Sequence, residues 1–262
     1  MNARATTVHV ESSGAGPPLL LLHGFGMHGG LFSALLPALT PRFRVHVADL
    51  PGHGRSAPVA MGDIATLAAA IDEATAAVEG PLVVVGWSLG GQVALQWALD
   101  RPWRVRKLVL VATTPSFVIR AGWPGALAPE ALARFGDELA VAYRLTLMRF
   151  LTLQVQGSDD GRRTLAQLRA SLFDRGDPSR EALAATLALL RDTDLRAALP
   201  RIAAAALVVA GDRDTLVPIA ATRALASALP RATHAAIRGA AHAPFLSHPA
   251  AFLDALEPFI DG

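Results

Sequence analysis

The chain has 262 residues, a formal charge of +2 and 52% hydrophobic residues, which excludes disorder and suffices for one large α/β domain or two small ones. It has no cysteine, so disulfides, thiolate metal sites and cysteine nucleophiles are absent. Its 24 basic residues include a single lysine, Lys107, and no basic run interleaved with aromatics, so nucleic acid is not an expected partner. Residues 1–7 carry one positive charge but no apolar stretch, and no signal peptide is expected there. Residues 6–11 then alternate apolar and polar side chains as a half-exposed edge strand does, whereas 19–22 is an unbroken leucine run suited to a central strand. Further strands are predicted at 44–48, 82–85, 108–112, 207–210 and 235–237, with helical segments between them. That order is typical of a mostly parallel sheet covered by helices on both faces. From 113 to about 200 the strands stop, and helices are predicted at 129–135, 137–154, 161–173 and 179–190. This block reads as a helical lid inserted after the sixth strand. The chain thus divides into a core, 1–114 with 200–262, and a lid, 115–199. No apolar run approaches the roughly 18 residues that span a bilayer, and a cytoplasmic protein with no membrane contact is expected.

Gly86-Trp87-Ser88-Leu89-Gly90 directly follows the apolar run 82–85 and reads as a strand breaking into a helix with a serine at the corner. Glycines two before and two after the serine leave room for strand and helix to pass at so sharp a turn. Such a nucleophile needs a base, a group that orients the base, and donors for the oxyanion, all at strand ends on one edge of the sheet. After the strand at 207–210 comes Gly211-Asp212-Arg213-Asp214-Thr215-Leu216-Val217-Pro218, which offers two aspartates for the orienting role. After 235–237 comes Gly239-Ala240-Ala241-His242-Ala243-Pro244, which offers His242 as the base. Serine, then aspartate, then histidine is the chain order of an α/β-hydrolase triad and of no other serine-protease fold. The leucine run 19–22, taken as the third strand, ends in His23-Gly24-Phe25-Gly26, a turn that presents the Phe25 N–H. With the Leu89 N–H it makes a two-donor oxyanion hole, each donor of which is typically worth about 3 kcal/mol in the transition state. His23 is read as a buried support for that turn, Asp49 and His53 as supports of the loop 49–56, and His248 as a helix-start residue. No metal or organic cofactor is called for.

With these segments in order, the chain resembles the α/β-hydrolase superfamily over nearly its full length. His-Gly-Phe-Gly at 23–26, Asp-Leu-Pro-Gly-His-Gly-Arg-Ser at 49–56 and Gly-Trp-Ser-Leu-Gly-Gly at 86–91 carry the resemblance. Trp123-Pro124-Gly125, Arg149-Phe150-Leu151-Thr152-Leu153-Gln154, Thr193-Asp194-Leu195-Arg196 and Ala240-Ala241-His242-Ala243-Pro244-Phe245-Leu246-Ser247-His248-Pro249 narrow it. These resemble the BioH family of biotin synthesis, carboxylesterases that release methanol from the methyl ester of pimeloyl-acyl carrier protein. The resemblance implies Ser88 as nucleophile, Asp214 as the orienting acid, His242 as base, and Asp212 as a loop-shaping residue. It also implies substrate contacts at Phe25, Leu89, Phe150 and Gln154. Phe150 and Gln154 are four apart and share one helix face on which they could line an acyl tunnel. Phe25 stands where the family carries Trp, a change that touches pocket shape and leaves the backbone donor in place. The implied partner is the acyl carrier protein bearing the pimeloyl methyl ester. An acidic carrier calls for positive charge near the tunnel, and Arg149, Arg162, Arg163 and Arg169 are the expected docking residues of a monomeric enzyme. A small-ester, lactone or carbon–carbon hydrolase with the same triad stays open as an alternative, as does a non-catalytic ligand receptor on the same fold.

Overall fold

The computed structural model describes residues 8–123 and 127–262, so residues 6 and 7 of the expected first strand and Pro124 and Gly125 of the Trp-Pro-Gly motif lie outside the described residues. Leu19 to Leu22 are completely buried because their strand, β2 (Pro18–Leu22), is covered on both faces of the sheet. β4 (Leu82–Trp87) is buried throughout for the same reason. Around them lie β1 (Val10–Ser13), β3 (Arg44–Ala48), β5 (Val105–Val111), β6 (Ala205–Gly211) and β7 (Ala232–Ile237). The seven strands follow the order β1-β3-β2-β4-β5-β6-β7, all parallel except β1, which runs antiparallel to β3. The first strand therefore runs to Ser13 instead of ending at Glu11. Its outer half is exposed, and its backbone pairs with β3 on one side alone. Among the described residues one antiparallel strand, not two, precedes the leucine run, so that run is the second strand and the helical stretch expected as a lid follows the fifth.

Of helices α1 (Leu36–Leu39), α2 (Ile64–Ala74), α3 (Leu89–Asp100), α7 (Ile219–Ala228), α8 (Pro244–Ser247) and α9 (Pro249–Asp261), α3, α7 and α9 pack against the sheet, α2 packs on α3 and α8 on α9. Asp63 caps α2 by accepting the Thr66 N–H at 2.9 Å, while Leu67, Ala68 and Ile71 form the buried face. His248 stands at the start of α9. No helix of the described residues is long and apolar enough to cross a membrane.

Between β5 and β6 the chain forms α4 (Pro129–Gln154), α5 (Gly161–Ser171) and α6 (Arg180–Asp192), the last capped by the Ser179 hydroxyl at 3.0 Å from Ala182 N. Two helices are expected across 129–154, and two stand there within α4, but the break between them falls at Ala142, whose φ of −142° and ψ of 58° leave the helical region, and not at Gly136, through which the first helix runs. Gly136 faces α6: a Cβ there would stand 3.1 Å from the end of the Leu187 side chain. The bend folds α4 back on itself. Phe135 from its first half meets Phe150 from its second at 5.3 Å between ring centroids, and both rings reach Phe25 of the core, at 5.9 and 6.0 Å.

Candidate active site

The strand order reverses direction between β2 and β4: the chain leaving β2 moves outward to β3, and that leaving β4 moves to β5 on the other side. Loops at such a switch point part and leave a crevice at the carboxyl ends of the strands. Ser88 stands there between β4 and α3, with φ of 55° and ψ of −117°. That conformation costs a serine on the order of 1–3 kcal/mol, and the surroundings hold it in place. Ser88 N–H donates to Val111 O at 2.9 Å, and its carbonyl accepts the Thr113 hydroxyl at 2.7 Å and the Gly91 N–H at 2.9 Å. Close packing accounts for both glycines of the motif. A Cβ on Gly86 would lie 2.4 Å from Gly90 O, and one on Gly90 would lie 2.4 Å from Leu22 O.

Asp214, in the loop after β6, is 5% exposed, and one of its oxygens accepts the N–H groups of Leu216 and Val217 at 2.9 and 3.0 Å. The other lies 2.8 Å from Nδ1 of His242, which is 2% exposed in the loop after β7. With that carboxylate accepting, Nδ1 carries the proton and Nε2 is left as the basic nitrogen. Asp212 points elsewhere and accepts the Gly239 N–H at 2.8 Å, which joins the two loops. Ser88 and His242 line one apolar cavity of about 130 Å³, whose walls include Phe25, Phe117, Leu132, Phe135 and Phe150. Ser88 Oγ and His242 share no hydrogen bond among the described residues.

Phe25 sits in the turn after β2 and lines the same cavity as Ser88, and its neighbour Gly24 packs closely there: a Cβ on Gly24 would stand 3.1 Å from the Ser88 Cβ. Neither the Phe25 N–H nor the Leu89 N–H, the first of α3, has a hydrogen-bond partner among the described residues. Beneath them His23 is completely buried, accepts the Leu50 N–H on Nε2 at 2.8 Å and donates from Nδ1 to Gly24 O at 2.8 Å. Burial and the neighbouring His53 push its pKa down to about 3, so it is a neutral support at physiological pH. Asp49 accepts the N–H groups of Gly29 and Arg55 at 2.7 and 2.9 Å. His53 is fully buried, with Nδ1 against Pro51 O at 3.0 Å.

The family model for the alpha/beta hydrolase fold matches residues 17–249. A pimeloyl-acyl carrier protein methyl ester esterase of Xanthomonas oryzae is 44% identical over 97% of this chain and 98% of its own length. Another so named, from Nitrosomonas europaea, is 42% identical over 96% and 98%. The esterase EaEST of Exiguobacterium antarcticum superposes with a TM-score of 0.88 over 97% of this chain and 96% of that one, at 23% identity, which speaks to the fold alone. The chain belongs to the pimeloyl-acyl carrier protein methyl ester esterase family of α/β hydrolases.

Within this family member, four neighbours of the site escape a reading of the sequence. The Trp87 indole N–H donates to the carbonyl of His242 at 2.8 Å and ties the serine corner to the histidine loop. The His242 N–H is held by the carbonyl of Gln154 at 3.0 Å, so the end of α4 supports that loop. Phe135 and Phe117 close the cavity. No local pattern marks the first two, because each pairs residues distant in sequence. Phe150 and Leu153 line the cavity; Gln154, also expected there, is 1% exposed and is not among the lining residues, and its Oε1 is unpaired. The bend at Ala142 and the end of the helix at Gln154 set which face meets the cavity. Leu89 is completely buried, and its side chain is not among those lining the cavity.

Outside the cavity an open hollow of about 460 Å³ lies between the two halves of α4 and shares Ala131, Phe135, Phe150 and Leu153 with it. Arg134 and Arg149 border the hollow, with Arg149 3.8 Å from Glu138. Arg162 and Arg169 are exposed on α5, while Leu168 on the opposite face is buried. Arg163 is engaged locally, paired with Asp160 and donating to Ser247 O at 3.3 Å.

Proposed function

We propose that this chain hydrolyses the methyl ester of pimeloyl-acyl carrier protein, a step of biotin synthesis, as a cytoplasmic monomer. Ser88 Oγ attacks the ester carbonyl and passes its proton to Nε2 of His242. The N–H groups of Phe25 and Leu89 stabilise the oxyanion of the tetrahedral intermediate. The imidazolium, held by Asp214, returns the proton to the departing methoxide, and methanol leaves. Water, deprotonated by His242, then attacks the acyl-Ser88 ester. It releases the free carboxylate, still joined to its carrier at the far end, and restores the serine. No metal or organic cofactor takes part.

The observation that carries the reaction is the His242–Asp214 hydrogen bond of 2.8 Å on the wall of the cavity that holds Ser88 at its strained corner. The substrate is supported by relatives that match along their whole length. The apolar walls suit the methylene chain, and the hollow outside gives the carrier end a way out. Residues 115–199 act in this reading as the lid, with Arg149, Arg162, Arg163 and Arg169 as the docking cations. The test is incubation of the purified protein and its Ser88→Ala variant with pimeloyl-acyl carrier protein methyl ester. Methanol and free carboxylate are expected from the wild type and none from the variant. A wild type that leaves this ester intact while turning over simple lactones would replace the reading.

A further inference from the structure

The segment joining α5 to α6 crosses back onto the core as a strap, and it is pinned there by charges. Asp49, at the end of β3, has a side chain with no exposure. Besides its two backbone donors it receives the Arg175 guanidinium from the lid, at 3.3 Å. The other arm of Arg175 reaches Glu11 on β1 at 2.7 Å, and a Cβ on Gly30 would meet its Nε at 2.9 Å. His28 accepts the Gly30 N–H on Nδ1 at 3.1 Å, so its Nε2 carries the proton and faces Ser171 O and Asp174 at the start of the strap. Ser179 N–H closes the strap onto Gly52 O at 2.9 Å.

These pins meet the turn that carries Phe25. On its upstream side His23 hangs from the Leu50 N–H and holds Gly24 O; on its downstream side Gly29 hangs from Asp49. Asp49 and Leu50 are adjacent, so one short stretch of backbone holds both ends of the turn. A buried carboxylate deprived of its cation is costly, and the local structure shifts to admit water or a proton. We propose that Arg175 is a positioning residue for catalysis: by compensating Asp49 it holds the Phe25 N–H where the oxyanion forms, and so couples seating of the lid to the readiness of the site. This inference rests on the esterase reading above.

The test measures kcat and KM for a short p-nitrophenyl ester and for the carrier-bound methyl ester, with thermal unfolding recorded for each variant. Arg175→Ala is expected to lower kcat about tenfold or more on both esters while KM for the short ester stays within about twofold, since an oxyanion donor acts on the transition state and not on ground-state binding. Arg175→Lys, which keeps a cation for Asp49, recovers most of kcat. Glu11→Gln, which leaves the Arg175–Asp49 contact intact, stays near the wild type. An unchanged kcat, a loss confined to KM, or a kcat loss in Arg175→Lys as deep as in Arg175→Ala would overturn the proposal. If Arg175→Ala does not fold, the decision rests on Arg175→Lys, for which kcat at the wild-type level supports the inference and a tenfold loss in a folded protein ends it. A wild type inactive on both esters would remove the esterase reading and this inference with it, whereas an active wild type indifferent to Arg175 removes the inference alone.

Discussion

His242 has one carboxylate partner, and the order of events at the site depends on it. Asp214 accepts two backbone N–H groups on one oxygen and the imidazole N–H on the other, so three donors hold its carboxylate in place. Replacing it with an amide puts an N–H donor where an acceptor is needed or turns the imidazole to its other tautomer. Asp214→Asn is therefore expected to lower kcat about 10³–10⁴-fold with little change in unfolding temperature, measurable by ester turnover and circular dichroism. Asp212→Asn, one turn of the loop away, should lose far less, because it serves the Gly239 N–H. At this scale much of the site was legible in the sequence. Ser88, Asp214 and His242 each sit in a loop just after an apolar strand, and a parallel sheet brings such loops to one edge. Trp87 and Gln154 were not legible as supports of His242. Each acts through a contact whose partner lies far off in sequence: the Trp87 indole across the core, and the Gln154 backbone carbonyl, which every residue possesses.

Among the elements, α4 departs furthest from local expectation. Glycine at 136 reads as a helix break, yet the helix runs through it beside Leu187 of α6, and the bend falls at an alanine with no sequence signal. The bend lets Phe135 and Phe150 close together over Phe25. Truncating Phe135 removes one wall of a cavity of only about 130 Å³ without touching Ser88 or His242. Phe135→Ala is expected to shift the preferred chain length in a series of p-nitrophenyl esters to longer or bulkier acyl groups, with kcat on acetate nearly unchanged. Equal loss on all esters would mean that the ring holds α4 in place. The central strands, by contrast, were read nearly to their bounds, since β2 and β4 are continuous apolar runs that no surface element could carry, whereas β1 lies at 10–13 and not 6–11, and β5 and β7 each begin three residues earlier than expected. The count before the lid shifted by one, because one antiparallel strand precedes β2 among the described residues.

On the scale of the whole molecule, charge is nearly balanced in sum but uneven in place. The formal charge is +2, yet from 144 to 172 five arginines stand against Asp159 and Asp160. Arg144 pairs with Asp177 and Arg163 with Asp160, which leaves Arg149, Arg162 and Arg169 as the more available cations. Exposed charges of this kind steer a charged partner and contribute little to folding. Reversing Arg149, Arg162 and Arg169 to Glu is expected to raise KM for the carrier-bound ester at least tenfold at low salt, to blunt its salt dependence, and to spare a small ester. Equal loss on both substrates would assign these residues a structural role.

The sequence by itself determined the fold, the family and the candidate reacting groups. Apolar runs, glycine spacing and strand-end loops are local, and a parallel sheet converts chain order directly into position along its edge. Only the tertiary structure decided which face of α4 meets the cavity, that Leu153 lines it, and that Arg175 reaches the buried Asp49. Those outcomes follow from a bend, a helix end and a buried ion pair between residues 126 positions apart. Their energies come from packing and desolvation across the molecule, and no stretch of neighbouring residues contains them.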